Sequence, residues 1–129
     1  MADQAPPRDL LQEGVRLFNE GYFFEAHDVW EEAWKNETGE PRRFLQGLIQ
    51  VAAGFHHRET GNLKGAAALF QKAKAKFDGY PAAYLGIDLG ALLRDVAESG
   101  RELDAADLGP GHRAYRTQPH VRTVSESTR

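Results

Sequence analysis

A histidine and a glutamate four residues apart are the residues of this chain best placed to do chemistry. They are His27 and Glu31, in a helical run from Tyr22 to Lys35. On a helical wheel of about 100° per residue, both fall inside an apolar arc, and most other charged residues of the run point away. Burying a carboxylate requires a cation, a metal ion or a hydrogen-bond network. The pair therefore predicts a polar site on the inner face of a helix.

The next helical run offers further ligands for such a site. It extends from Arg42 to Thr60 and carries two histidines and two glutamines. Two donors four apart on a helix can bind one metal ion, and a hairpin partner can supply a third donor. Nitrogen and oxygen donors suit Zn, Mn, Fe or Ni, and an open coordination position would activate water for hydrolysis. The predicted metal ligands are His27, Glu31, His56 and His57, and the predicted lining residues are Trp30, Trp34, Arg43, Gln46 and Gln50.

A structural interpretation of the same residues stays open. Glu31 would pair with Arg43 or its neighbour Arg42 across the helical hairpin, and His27 would hydrogen-bond a glutamine of that helix. Such a buried network fixes the register of two helices without any metal. Catalytic zinc usually has three protein ligands, and the His27–Glu31 pair supplies two.

Helical periodicity dominates the chain, and no alternating run is long enough to predict a strand. We predict helices at about residues 7–19, 22–35, 42–60, 63–77 and 87–98. The fold class is all-α: a compact bundle of about five helices built from helical hairpins over residues 1–100. Residues 101–129, with scattered Pro, Gly, Ser and charge, are predicted to form an irregular, mobile tail in which His112 and His120 are solvated.

The second helix has a weak copy later in the chain. Residues 21–33 align with residues 61–73, and the matched pairs are Gly21 with Gly61, Ala26 with Ala66, Trp30 with Phe70 and Ala33 with Ala73. His27 corresponds to Ala67 and Glu31 to Gln71, so packing of such a helix does not require the ionisable pair. The pattern resembles a tetratricopeptide helix. The alternative function is therefore a non-enzymatic, tetratricopeptide-like interaction module in which the pair is structural.

Composition excludes several classes of function. A length of 129 residues, with 41% hydrophobic and 27% charged residues, is typical of one soluble globular domain. A net charge of −3, with Lys64, Lys72, Lys74 and Lys76 on a solvated helix face, gives no reason to expect nucleic acid. The absence of cysteine excludes disulfides and thiolate ligands. No apolar run spans a membrane and no signal peptide is present, so we expect a cytoplasmic protein, with a protein partner or homo-oligomer left open.

Three ordered motifs lie between about residues 10 and 80. They are His-x-x-x-Glu-x-x-Trp, present as His27, Glu31 and Trp34, the run from Gln46 to Gln50, and the run from Gly61 to Ala66. In these motifs the chain resembles the small helical bacterial and archaeal family called domain of unknown function 309. The resemblance implies a compact all-helical fold and a suggested metal role for the His/Glu pair, and it supplies no reaction. Asp28 departs from the family pattern, in which glutamate is common after the histidine.

Overall fold

The protein is a bundle of helices with a small hairpin of strands before the last one. The computed structural model describes residues 9–106 and 117–124, without the side chains of residues 105 and 106. Its elements are α1 (Leu10–Asn19), α2 (Phe23–Lys35), α3 (Gly39–Glu59), α4 (Leu63–Phe77), β1 (Ala83–Tyr84), β2 (Ile87–Asp88) and α5 (Leu89–Ala106). The predicted all-α fold with five helices is confirmed. In these described residues, no helix has the length and apolar character needed to cross a membrane.

The first four helices form two hairpins with the same design. The turns that precede α2 and α4 contain Gly21 and Gly61, whose φ angles are 89° and 88°. A side chain disfavours this left-handed backbone, which explains glycine at both turns. The aligned aromatics Trp30 and Phe70 are both buried. The copy seen in the sequence thus corresponds to two hairpins, α1–α2 and α3–α4, that bury equivalent residues.

The central helix is α3, which packs against both α2 and α4. A β-carbon at Gly47 would lie 2.5 Å from the Phe77 ring, and one at Gly54 would lie 2.5 Å from the Phe70 ring. These glycines therefore make room for aromatic rings of α4, and not for a neighbouring backbone. A third ring, Phe55 of α3, contacts Phe70 with centroids 4.8 Å apart.

An aromatic cluster joins α1, α2 and α3. The Phe18 ring of α1 lies 5.0 Å from Phe23, 5.8 Å from Trp30 and 5.9 Å from Phe55, measured between centroids. All four rings are buried. Because Phe23 and Trp30 must face this cluster, it fixes the rotation of α2 about its own axis and hence the direction of its other side chains.

Helix α3, helix α5 and the segment between α4 and α5 differ from prediction. Helix α3 begins at Gly39 and not at about residue 42, because proline is compatible with a first helical turn and Pro41 occupies it. Helix α5 runs to Ala106 and passes Gly100 without a break. The β1–β2 hairpin was not predicted; its turn uses Leu85 and Gly86 with φ angles of 50° and 78°, as a two-residue turn of the mirror-image type requires.

Residues 117–124 pack against the helices, so the predicted mobile, solvated tail is wrong for this segment. The Asn19 side chain accepts a hydrogen bond from the Val121 N–H at 2.7 Å and donates one to the Val121 carbonyl at 3.0 Å. Val121 is buried, and Thr123 forms a β-bridge with Ile87. His120 is half-buried, and its backbone N–H donates to Asp95 at 3.1 Å. His112 lies outside the described residues.

A buried ion pair connects this segment to α3 and α5. Arg58 Nη1 lies 3.9 Å from Glu102 Oε1 and donates a hydrogen bond to the Thr117 carbonyl at 3.1 Å. The Thr117 N–H in turn donates to Glu102 Oε2 at 3.0 Å. The exposed fractions of the two charged side chains are 6% and 13%. Burial is tolerated because each charge has a partner of opposite sign or a backbone dipole.

Candidate functional site

The inner face of α2 is apolar and narrow. Phe23, Ala26 and Trp30 are buried there at helical spacing. The Trp30 indole N–H donates to the Leu11 carbonyl of α1 at 3.0 Å. Trp30 therefore belongs to the core between α1 and α2, which is the structural alternative for this residue.

His27 and Glu31 lie at the edge of that apolar face. Their side chains are 25% and 45% exposed. The prediction of two interior side chains is therefore wrong for Glu31, which water reaches. Phe24, assigned on the helical wheel to the border of the apolar arc, is 52% exposed. The helical wheel overestimated the width of the buried face of α2, because helical periodicity cannot show how much of that face the neighbouring helices cover.

The His27 imidazole lies between two carboxylates of its own helix. Its Nδ1 atom is 3.3 Å from Asp28 Oδ1, and its Nε2 atom is 3.9 Å from Glu31 Oε2. The shorter contact is a hydrogen bond. With the proton on Nδ1, this bond turns the Nε2 lone pair toward Glu31. The contact between Asp28 and His27 was not predicted, because adjacent residues of a helix point about 100° apart. The signal for it in the sequence was a short acidic side chain next to a histidine.

The two other predicted ligands are held elsewhere. The Phe24 ring stacks on His27 with centroids 6.2 Å apart and also contacts His56 at 5.3 Å. His57 accepts a hydrogen bond at Nδ1 from the Asn62 side chain at 3.3 Å, in the turn before α4. Across residues 9–106 and 117–124, no group of three or more His, Asp or Glu side chains could hold a metal ion. Of the four predicted ligands, the fold brings together His27 and Glu31.

Arg43 does not reach Glu31, so it does not form the ion pair that the structural alternative assigned to Arg43 or Arg42. Its Nε donates to the Lys76 carbonyl at 2.9 Å and its Nη2 to the Asp78 carbonyl at 2.5 Å. Both carbonyls lie at the end of α4, where backbone acceptors lack helical partners and the helix dipole favours a cation. Arg43 therefore caps α4 and joins it to α3.

Two further predicted lining residues, Trp34 and Gln46, lie at the opposite end of α2 from Phe24. Trp34 is covered by the Arg42 guanidinium, whose Cζ is 3.9 Å from the indole centroid. Trp34 and Gln46 line an open cavity of about 310 Å³ together with Gly39, Arg42, Arg43 and Lys76. His27 and Glu31 do not line it. Lys76 was predicted to be solvated and is half-buried.

Gln50 has a different environment again. Its Oε1 atom is buried and has no hydrogen-bond partner within the described part of the chain. The predicted site residues thus lie apart: Trp30 in the core, His27, Glu31 and His56 near Phe24, His57 beside Asn62, Gln50 by itself, and the rest at the cavity around Trp34.

The comparisons with known proteins place the chain among relatives of unknown function. The family described as Domain of unknown function (DUF309) matches residues 11–69, which include His27, Glu31 and His56. A crystal structure of a conserved hypothetical protein from Thermus thermophilus is similar with a TM-score of 0.63 and 35% identity. It covers 72% of this chain, and this chain covers 94% of it.

Two uncharacterised bacterial proteins are also similar. One, from Aquifex aeolicus (strain VF5), is 33% identical over 87 residues, which are 65% of this chain and 26% of that protein. The other, YpuF of Bacillus subtilis (strain 168), is 34% identical over 74 residues, which are 55% of this chain and 42% of YpuF. The chain spans less than half the length of both. The family match and the likeness over nearly the whole Thermus protein establish that this chain belongs to the DUF309 family.

Proposed function

We propose that this protein binds a divalent transition metal ion through His27 Nε2 and Glu31 Oε2. The observation that carries the proposal is the orientation of the imidazole. A histidine that binds a metal commonly donates its other ring N–H to a carboxylate, which fixes the tautomer. Asp28 is in position to do this, with its Oδ1 3.3 Å from His27 Nδ1.

The spacing of the two donors supports the same proposal. His27 Nε2 and Glu31 Oε2 are 3.9 Å apart, too far for a hydrogen bond between them. A lone pair and a carboxylate oxygen that face each other repel unless a cation lies between them. Two donors of this kind suit Zn, Mn, Fe or Ni. Both side chains are open to solvent, so an ion can reach them.

The proposal is limited to binding because two protein ligands are fewer than the three usual for catalytic zinc. The metal would supply a Lewis acid able to lower the pKa of bound water. Hydrolysis would need a further protein ligand, and among the described residues no third His, Asp or Glu joins this pair in a group that could hold a metal ion.

Elemental analysis and titration test the proposal. We expect the natively purified protein to carry Zn, Mn, Fe or Ni, and we expect Zn²⁺ or Ni²⁺ titrated into chelator-treated protein to bind in calorimetry. Replacing either donor, in His27→Gln or Glu31→Gln, should abolish that binding. Asp28→Asn should weaken it by about 10–100-fold, as is typical when a group that orients a metal ligand is removed.

Glu25→Gln is the matched control, because Glu25 is an exposed carboxylate on the same helix. It should bind metal as the wild type does. The proposal fails if purified protein contains no metal and added metals leave the melting temperature unchanged. It also fails if Glu25→Gln and Glu31→Gln weaken binding equally, since that would indicate general electrostatic attraction.

A second candidate function is favoured by the exposed aromatic rings beside the pair. Tyr22 and Phe24 are 53% and 52% exposed, and Phe24 contacts the imidazoles of His27 and His56. In this alternative the chain is a non-enzymatic interaction module that covers Phe24 with an apolar side chain of a protein partner. Phe24→Ser should then abolish capture of a specific protein partner without changing the affinity for metal ions. Unchanged capture of the partner by this variant would count against the interaction module.

A further inference from the structure

The cavity around Trp34 has the chemistry of an anion site. It is open, has a volume of about 310 Å³, and forms where the end of α2, the start of α3 and the end of α4 meet. Three cationic side chains line it: Arg42, Arg43 and Lys76. The described residues that line it include no acidic side chain. The positive charge is therefore not neutralised within the lining itself.

Two residues of the cavity lining each carry a buried donor atom without a partner among the described residues. The Trp34 indole Nε1 and the Arg42 Nε are both buried, and neither has a hydrogen-bond partner in the described parts of the chain. A buried donor without an acceptor costs about 1–3 kcal/mol relative to a paired one. Both belong to residues that line the cavity. They are donors, so the missing group is an acceptor.

The backbone adds to the positive potential. Gly39 is the first residue of α3 and also lines the cavity. The Thr38 cap makes no side-chain hydrogen bond to the helix within the described residues, so the first N–H groups of α3 lack that acceptor. The positive end of the α3 dipole thus lies beside the arginine and lysine side chains.

We propose that this cavity binds the phosphate group of a small molecule. Arg42 supplies a planar guanidinium that pairs well with phosphate oxygens, and Lys76 supplies a compact positive charge. The Trp34 indole contributes a neutral N–H donor. Arg43 contributes charge while its Nε and Nη2 atoms stay bonded to the end of α4. This site is independent of the metal proposed at His27 and Glu31, which do not line the cavity.

The two tryptophans give the experiment an internal control. Trp30 Nε1 is bonded to the Leu11 carbonyl in the core, whereas Trp34 lines the cavity and its Nε1 has no partner within residues 9–106 and 117–124. Pyrophosphate or a sugar phosphate monoester, titrated into metal-free protein at constant ionic strength, should shift the Trp34 indole N–H resonance. The Trp30 resonance should stay in place. Binding of either probe supports the proposal and identifies the source of the phosphate.

Charge-removing variants test the assignment to these residues. Arg42→Gln and Lys76→Gln should each weaken binding by roughly 10-fold or more, the size expected for a hydrogen bond to a charged group. Lys72→Gln is the matched control, because Lys72 is an exposed lysine of α4 outside the cavity. The proposal is overturned if neither probe shifts the Trp34 resonance at millimolar concentration. It is equally overturned if chloride reproduces the shift, or if the three variants weaken binding alike.

Discussion

Replacing Gly14 by alanine tests the contact that holds α2 in its orientation. A β-carbon at Gly14 would lie 2.1 Å from Trp30 Nε1, 2.4 Å from Cδ1 and 2.5 Å from Cε2. Real β-carbons do not approach other atoms so closely. The indole is fully buried and hydrogen-bonded to the Leu11 carbonyl. The added methyl group must therefore displace either the indole or α1.

The size of the effect follows from three contributions. Overpacking a core typically costs about 1–3 kcal/mol. Breaking the indole hydrogen bond leaves a buried donor unpaired, at about 1–3 kcal/mol. The higher helix propensity of alanine returns about 1 kcal/mol. We expect Gly14→Ala to lower the free energy of unfolding by roughly 3 kcal/mol.

Urea unfolding followed by circular dichroism measures this change. The midpoint should fall while the slope stays constant, because the surface exposed on unfolding is unchanged. Gly100→Ala is the control: it lies inside α5, and among the described residues no atom beyond its own stretch of helix lies within 4 Å of the added β-carbon. That variant should gain up to about 1 kcal/mol. Trp30→Phe should make the Gly14→Ala change less costly, because the smaller ring vacates the colliding position.

The packing argument is refuted by a Gly14→Ala protein at least as stable as the wild type. It is also refuted if both alanine variants raise the urea midpoint. Either outcome would mean that helix propensity, and not contact with Trp30, decides the effect.

Three further predictions concern polar side chains that bond to other parts of the fold. Arg58→Met should destabilise the fold by about 3–5 kcal/mol in urea unfolding, because it leaves the Glu102 carboxylate buried without its cation. Adding Glu102→Gln to this variant should restore part of the lost stability. Burial, followed by the charge of Glu40, raises the pKa of Tyr80 above 10.0, so the fold favours the neutral phenol. That stabilisation is present below pH 10 and is lost as the pH rises through the pKa of the folded protein. Tyr80→Phe should reduce the fall in the free energy of unfolding at alkaline pH. The prediction is contradicted if the free energy of unfolding falls with pH as steeply in the variant as in the wild type. Asn19→Ala removes two hydrogen bonds to Val121 and should lower the free energy of unfolding by about 1–3 kcal/mol. It should speed amide hydrogen exchange across residues 117–124 and leave the amides of α4 protected. An equal increase in exchange in residues 117–124 and in α4 would show that the segment does not detach by itself.

Local sequence determined most of the helices. Periodicity and turn residues are local signals, so α4 was predicted at its observed bounds, Leu63–Phe77, and α2 within one residue. The proximity of His27 and Glu31 was also predictable, because side chains four apart on a helix are neighbours. Family membership was predictable for a related reason, since the motifs lie within continuous segments.

Side-chain burial and long-range partners were not predictable in this way. Exposure of Glu31 depends on how far the neighbouring helices cover the edge of α2. The α4 cap by Arg43 joins residues more than 30 positions apart, and hydrophobic periodicity does not encode such a pair. The same holds for Val121, whose partner Asn19 belongs to the first helix.

The sequence by itself determined the helices, their order and the paired donors on α2, because these follow from contacts within a few residues. Tertiary structure alone decided that Glu31 meets water. It also assembled the cationic cavity, since Trp34, Arg42 and Lys76 come from three helices that only packing brings together. The physical reason is that the burial and electrostatic environment of a side chain are set by neighbours from the whole fold, whereas helix formation is set largely by neighbours in the chain.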